Sequence, residues 1–145
     1  MAASDYLYPR FPLGGSEIPV KNTTGSGTAI AFAACVKIDS TNVVSGTQPQ
    51  IGVVACTAVT DFPFGLMIEK VADAAFGRCQ IAGIAEGLGV AAGVSAGALV
   101  GASGSVAGCV VAATTSDPAL GQALTAGVSA LDPVLIRIAP YGYAK

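Results

Sequence analysis

The sequence predicts a mainly β protein: a small β-barrel or β-sandwich with Gly/Ala-rich loops, a possible short helix and an extended N-terminal arm. Three observations carry this. The apolar runs are mostly four to nine residues long, which suits strands better than helices. Breakers separate them at intervals of 8 to 15 residues, the rhythm of an all-β domain. In the clearest run, Ile51 to Val59, β-branched side chains stand at 51, 53, 54, 57 and 59.

Residues 1–15 carry Tyr6, Tyr8 and Phe11 among Pro9 and Pro12 and end on Gly14-Gly15. Proline fixes φ and drives the preceding residue toward extended geometry, so this segment reads as an arm without its own core. Its aromatics need a surface, either on the chain's own body or on a neighbouring subunit. Residues 16–145 then read as a single β-rich domain. Ile18 to Val20 is a short strand, Asn22 to Gly27 a turn, Thr28 to Ile38 a strand pair or one long strand, and Asp39 to Gly46 a polar loop. After Ile51 to Val59 come Leu66 to Lys70, Arg78 to Ala85, Ala98 to Val100, Val106 to Ala113, Gln122 to Thr125 and Val134 to Ile138. A helix fits only Val71 to Phe76 or Leu88 to Ala98, where alanine blurs the pattern.

An internal repeat pairs about 51–83 with about 107–140. At an offset of 56, Thr60-Asp61-Phe62-Pro63-Phe64-Gly65 falls on Ser116-Asp117-Pro118-Ala119-Leu120-Gly121. With one residue inserted in the second copy, Arg78 to Ala82 meets Leu135 to Ala139. An Asp can cap such a turn, Pro can set its φ, and the glycine permits a bulge or a close strand approach. Chance similarity in a chain with 27 alanines and 19 glycines is the competing explanation.

Composition excludes many functions. Only 16 of 145 residues are charged, the net charge is −2, and the isoelectric point is near 4.8, so no basic surface exists to neutralise phosphates and no nucleic-acid partner is expected. Histidine is absent, which removes the commonest general base and metal ligand. The lysines at 21, 37, 70 and 145 sit in no catalytic motif. Asp61, Glu69, Asp73, Glu86, Asp117 and Asp132 could in principle pair for glycoside hydrolysis, but Asp61 and Asp117 read as turn residues and the others as solvated surface. The glycine-rich stretches lack the phosphate-binding spacings. The expectation is no enzyme, no cofactor, no metal and no small-molecule substrate. So little charge beside 52% apolar residues points instead toward a subunit covered by neighbours.

Cys35, Cys56, Cys79 and Cys109 form no C-x-x-C pair and each lies in an apolar stretch. They read as buried free thiols, with two disulfides as the alternative in an oxidising compartment. The N-terminus has no basic-then-apolar leader pattern, so folding in a reducing cytoplasm is expected.

Residues 87–116 contain no charge, and Gly89, Gly93, Gly97 and Gly101 recur every fourth position, the small-xxx-small spacing of packed membrane helices. A glycine-zipper span over about 87–113 is therefore the alternative architecture. Against it stand the weak transfer energy of Ala, Gly and Ser, the absence of flanking Lys, Arg or aromatic belts, and about 1 kcal/mol lost per helical glycine.

The extended arm, the G-V-V-A and V-S-A-G-A-L-V segments and the closing A-L-G-Q-A-L-T-A…D-P-V-L-I-R-I resemble the capsid decoration, or cement, proteins of tailed bacteriophages over roughly residues 50–140. The aromatic arm and the longer first third depart from that family. The resemblance implies a β-rich structural virion protein on the outer capsid surface, assembled in the host cytoplasm, commonly a homotrimer, and bridging major capsid protein subunits without a membrane partner. Candidate capsid or subunit contacts are Tyr6, Tyr8, Phe11, Tyr141 and Tyr143.

Overall fold

The computed structural model describes residues 16–41, 50–90, 94–129 and 131–143, with side chains as far as Ala139. The arm with Tyr6, Tyr8 and Phe11 lies outside the described residues, as do the side chains of Tyr141 and Tyr143. The rest is mainly β: strands β1 (Ser16–Asn22), β2 (Cys35–Ile38), β3 (Gly52–Ala55), β4 (Gly65–Met67), β5 (Phe76–Leu88), β6 (Leu99–Ala102), β7 (Val110–Ala112), β8 (Pro118–Ala123) and β9 (Pro133–Tyr143).

Two strand rings share β5. In the first, β1, β3, β2, β4 and β5 follow one another and β5 returns to β1, closing a five-stranded barrel. All its pairings are antiparallel except β1 with β3, which run parallel with Lys21 opposite Gly52. In the second, the C-terminal half of β5 pairs with β9, β9 with β8, β8 with β6 and β6 with β7. A parallel bridge between Gly89 and Val110 brings β7 back to the end of β5. Traced through their registers, both rings close with a stagger of about eight residues, and such a stagger tilts the strands against the ring axis.

The rings repeat each other bond by bond. Ala33 N–H donates to Met67 O and Gly97 N–H to Ala123 O, both at 2.8 Å. Asn22 N–H donates to Ala75 O and Gly89 N–H to Asp132 O, and Ala74 N–H returns to Asn22 O as Leu131 N–H does to Gly89 O, all at 2.9 Å. The turns share left-handed backbone: Ala33 has φ 64° and Gly97 87°, Ala74 61° and Leu131 65°.

Each ring encloses its own apolar cluster. Val20, Ile30, Val36, Val53, Met67, Val71 and Cys79 fill the first. Val94, Val100, Val110, Leu120, Val134, Ile136 and Ile138 fill the second, joined by Cys35, Cys56 and Leu66 from the first ring's strands. Those last three residues form the seam between the two cores. Buried polar groups are few and satisfied: Asn22 donates to Thr28 O and Val71 O, and Gln80 to Ala82 O and Ile84 O. Pro19 lies two residues before Lys21, whose N–H faces β3, so its missing N–H falls on that same side, at a level outside the β1–β3 pairing at Lys21 and Asn22.

Several element boundaries differ from the sequence reading. Thr28 to Ile38 is neither one strand nor two: Ile30 makes an isolated bridge to Val71, a tight turn with Ala33 at φ 64° follows, and β2 begins only at Cys35. Among the described residues neither alanine-rich candidate shows a helix, and no other helix occurs there. Val71 pairs with Ile30 ahead of a turn, while Leu88 ends β5 and Val94 bridges Gly127, because ring closure uses the backbone N–H groups a helix would need. Strand β8 begins at Pro118 rather than Gln122. The stretch proposed as a glycine-zipper span is divided among β5, β6 and β7, and no helix among the described residues is long and apolar enough to cross a membrane.

Close approach explains several glycines. A Cβ on Gly121 would sit 2.1 Å from Arg137 O, and one on its counterpart Gly65 2.4 Å from Gln80 O. Substituting Gly121→Ala is expected to destabilise the chain by about 3 kcal/mol. Gly104→Ala, whose Cβ meets only Val59 at 3.4 Å, should stay within about 0.5 kcal/mol, both read from urea denaturation.

The rings also exchange bulk. A Cβ on Gly77 would lie 2.1 Å from Val71 Cγ2, while in the second ring Gly127 faces Val134, with a Cβ there 3.0 Å from Val134 Cγ2. One ring thus places valine on the connecting turn and glycine on the strand, and the other reverses them. Gly77→Val alone is expected to cost about 3 kcal/mol, and adding Val71→Gly to recover about 2 kcal/mol of it. Additive losses in this double-mutant cycle would show that the two sites do not share one volume.

Candidate interaction surface

The described carboxylates are mostly engaged in holding turns. Asp61 accepts the backbone N–H groups of Thr57 at 2.8 Å and Ala58 at 3.0 Å and pairs with Lys37 Nζ at 2.7 Å. Asp117 caps the equivalent turn of the second ring through Thr114 N–H and its hydroxyl. Asp73 reaches across to Gly25 and Gly27 N–H, and Asp132 caps Val128 and Ser129. Glu69 and Glu17 both meet Arg78, each at 3.2 Å.

These partners set the acidities. Partial burial raises Asp61, but the Lys37 contact and the two backbone donors outweigh it and hold the carboxyl below its ordinary value. Asp73 is lowered by the Gly27 and Gly25 N–H groups, and Asp117 by the Thr114 hydroxyl and N–H. Among the described residues no group of three or more Cys, Asp or Glu side chains is placed to hold a metal ion. The four cysteines are buried free thiols; burial pushes Cys79 up to about 12 and raises Cys109.

What the surface offers instead is apolar. Val59 and Phe62 stand exposed on the β3–β4 turn, and Val106 on the β6–β7 hairpin. Val59 lies within 3.4 Å of the position a Gly104 Cβ would take, so these turns from the two rings meet at the outside of the seam. On the β8–β9 connection of the second ring, Leu124, Val128 and Leu131 are exposed, Val128 at 77%. Phe76 at the start of β5 is exposed beneath Lys21, whose Nζ lies 5.7 Å from the ring centroid.

Of the contact residues expected from sequence, Tyr141 and Tyr143 lie on β9, where Tyr143 is opposite Pro118 of β8. Sequence reading missed the turn valines and leucines, since an isolated Val or Leu in a loop carries no signal until the fold shows which turns meet.

No family model matches the chain, and no curated protein matches it. Among solved structures, the N base of the head fiber gp8.5 in bacteriophage phi29 is similar, with a TM-score of 0.59 and 11% identity, covering 90% of this chain and 98% of that one. At that identity the likeness is one of fold.

The Asp61 carboxylate contributes stability that is present above its unfolded value near pH 4 and lost as pH falls through its lower folded value. The urea midpoint is therefore expected to fall below about pH 4 in the parent chain and to fall less steeply in Asp61→Asn. Equal acid slopes would refute this role for Asp61.

Proposed function

We propose that this chain is a structural protein of a bacteriophage virion, a decoration or cement protein. In this reading it binds the outer surface of the assembled capsid, as a homotrimer, and stabilises the lattice by bridging neighbouring major capsid subunits. The observation that carries the reading is the fold likeness to the phi29 head fiber N base, which runs through nearly the whole of that chain. Two further features support it. The described Asp side chains are taken up in turn contacts, and most of the exposed large apolar side chains lie on turns that a partner can reach without disturbing a ladder.

The mechanism is reinforcement by binding. A protein that recognises only the assembled lattice stabilises it by RT ln(1 + [L]/Kd) per site, so many modest contacts add up over a shell. Aromatic side chains suit such contacts, since they bring large area at low rotamer cost; Tyr6, Tyr8 and Phe11 of the arm and Tyr141 and Tyr143 are the proposed anchors.

The test is co-sedimentation of the purified chain with mature shells of its phage and, separately, with unassembled major capsid protein. Saturable binding to shells alone is expected, with the shells then surviving greater heat. Deleting residues 1–13 is expected to weaken binding at least tenfold, about 1.4 kcal/mol. Failure of the full chain to bind shells would overturn the reading, and undiminished binding after the deletion would remove the arm from it.

A further inference from the structure

The seam between the two cores holds two thiols that the proposed function does not use. Cys35 opens β2 and Cys56 follows β3, and the antiparallel register that sets Val36 opposite Ala55 sets these two cysteines opposite each other. Their sulfurs are 3.7 Å apart, with Cys35 Sγ–H donating to Cys56 Sγ. The backbone holds them there, because Cys56 N–H donates to Cys35 O at 2.9 Å. Sulfurs so close on neighbouring strands need approach by less than about 2 Å to reach the S–S bond length of about 2.05 Å. The Cys79 sulfur turns instead to Gln80 O at 3.8 Å.

We propose that Cys35 and Cys56 are an oxidation site, a dithiol that a peroxide converts to an intrachain disulfide across β2 and β3. One sulfur attacks the O–O bond of hydrogen peroxide, releasing water and leaving a sulfenic acid. The second thiol attacks that sulfur, the S–S bond forms and a second water leaves. Two thiols are oxidised by two electrons and one peroxide is reduced to two waters, so the step balances with no other reactant.

The second ring controls access. Where a regular ladder would complete the pair, Gly108 of the β6–β7 hairpin intervenes: Cys35 N–H donates to Gly108 O and Gly108 N–H to Cys56 O, both at 2.8 Å. Both cysteines are fully buried beneath it. The bond to Cys56, and then burial, hold Cys35 as a thiol, so reaction proceeds slowly, at the rate at which the hairpin lifts. The chain therefore folds and assembles reduced in a reducing compartment and is stapled at its seam after exposure to an oxidising one.

The experiment treats the full folded chain with hydrogen peroxide, blocks remaining thiols in denaturant and maps tryptic peptides without reduction; cleavage after Lys37 separates the two cysteines. The expected product is a crosslink between the peptides carrying Cys35 and Cys56, with Cys79 and Cys109 blocked as free thiols. For a crosslink across 21 residues, the melting temperature is expected to rise by about 10 °C, to reverse with dithiothreitol, and to stay unchanged in peroxide-treated Cys56→Ala. A product in which either cysteine is linked to Cys79 or Cys109, or carries sulfinic acid without a crosslink, overturns the proposal. So does a chain that keeps four free thiols while the same chain unfolded in urea is oxidised.

Discussion

The structure depends on β5 being one strand in two rings. Its first half supplies hydrogen bonds to β1 and β4, its second half to β9, and Gly83 between them has φ 87°. A closed ring has no free edge, and that closure substitutes for a large core. Because β5 completes the first ring and begins the second, neither ring can open without loosening the other's boundary. Gln80 reflects this constraint: its buried amide donates to the carbonyls of Ala82 and Ile84, at the point where β5 passes from one ring to the next. A buried carbonyl there without a partner would cost about 1–3 kcal/mol.

Two rings with the same bonds and different side chains show how little of the sequence the architecture requires. A tight turn in left-handed backbone is filled by Ala33 in one ring and Gly97 in the other, and a second such turn by Ala74 and Leu131. Val71 with Gly77 is matched by Gly127 with Val134, so the volume is kept while the residues trade places. What persists is chemistry without a substitute: a carboxylate accepting turn N–H groups at Asp61 and Asp117, and a glycine where a carbonyl crowds the Cα at Gly65 and Gly121. A fold that tolerates such exchange can also be shared at 11% identity with the phi29 head fiber base.

This explains what could be read from the sequence. The β class and most strands were legible, because β-branched runs between Gly, Pro and Asp are local signals; β1, β3, β5, β7 and β9 all fall within or over the predicted runs. Strand ends were not, because tertiary bonds fix them. Ile30 looks like part of a strand with Val36, yet one bridge to Val71 and a left-handed Ala33 separate them. The alanine-rich stretches looked helical for want of bulk, and only ring closure, a contact between distant residues, decides against that. The surface was least legible: Val59 comes beside Gly104 only when the two rings dock.

The same reasoning changes what the composition means. Small side chains and scarce charge suggest, in the sequence, a subunit covered by partners. In the structure several of the glycines have a nearer cause. The interior of a five-stranded ring is narrow, its strands approach until a Cβ would touch a carbonyl, and large residues such as Leu66, Met67, Leu120 and Ile136 fit only at a few levels. Glycines at such places therefore have a cause inside the rings. The side chains that the proposed partner would cover are instead the exposed apolar ones, Val128 and Leu131 on one connection and Val59 and Val106 on turns of the two rings. They stand on separate turns of the two rings, where the proposed contacts with neighbours would use them.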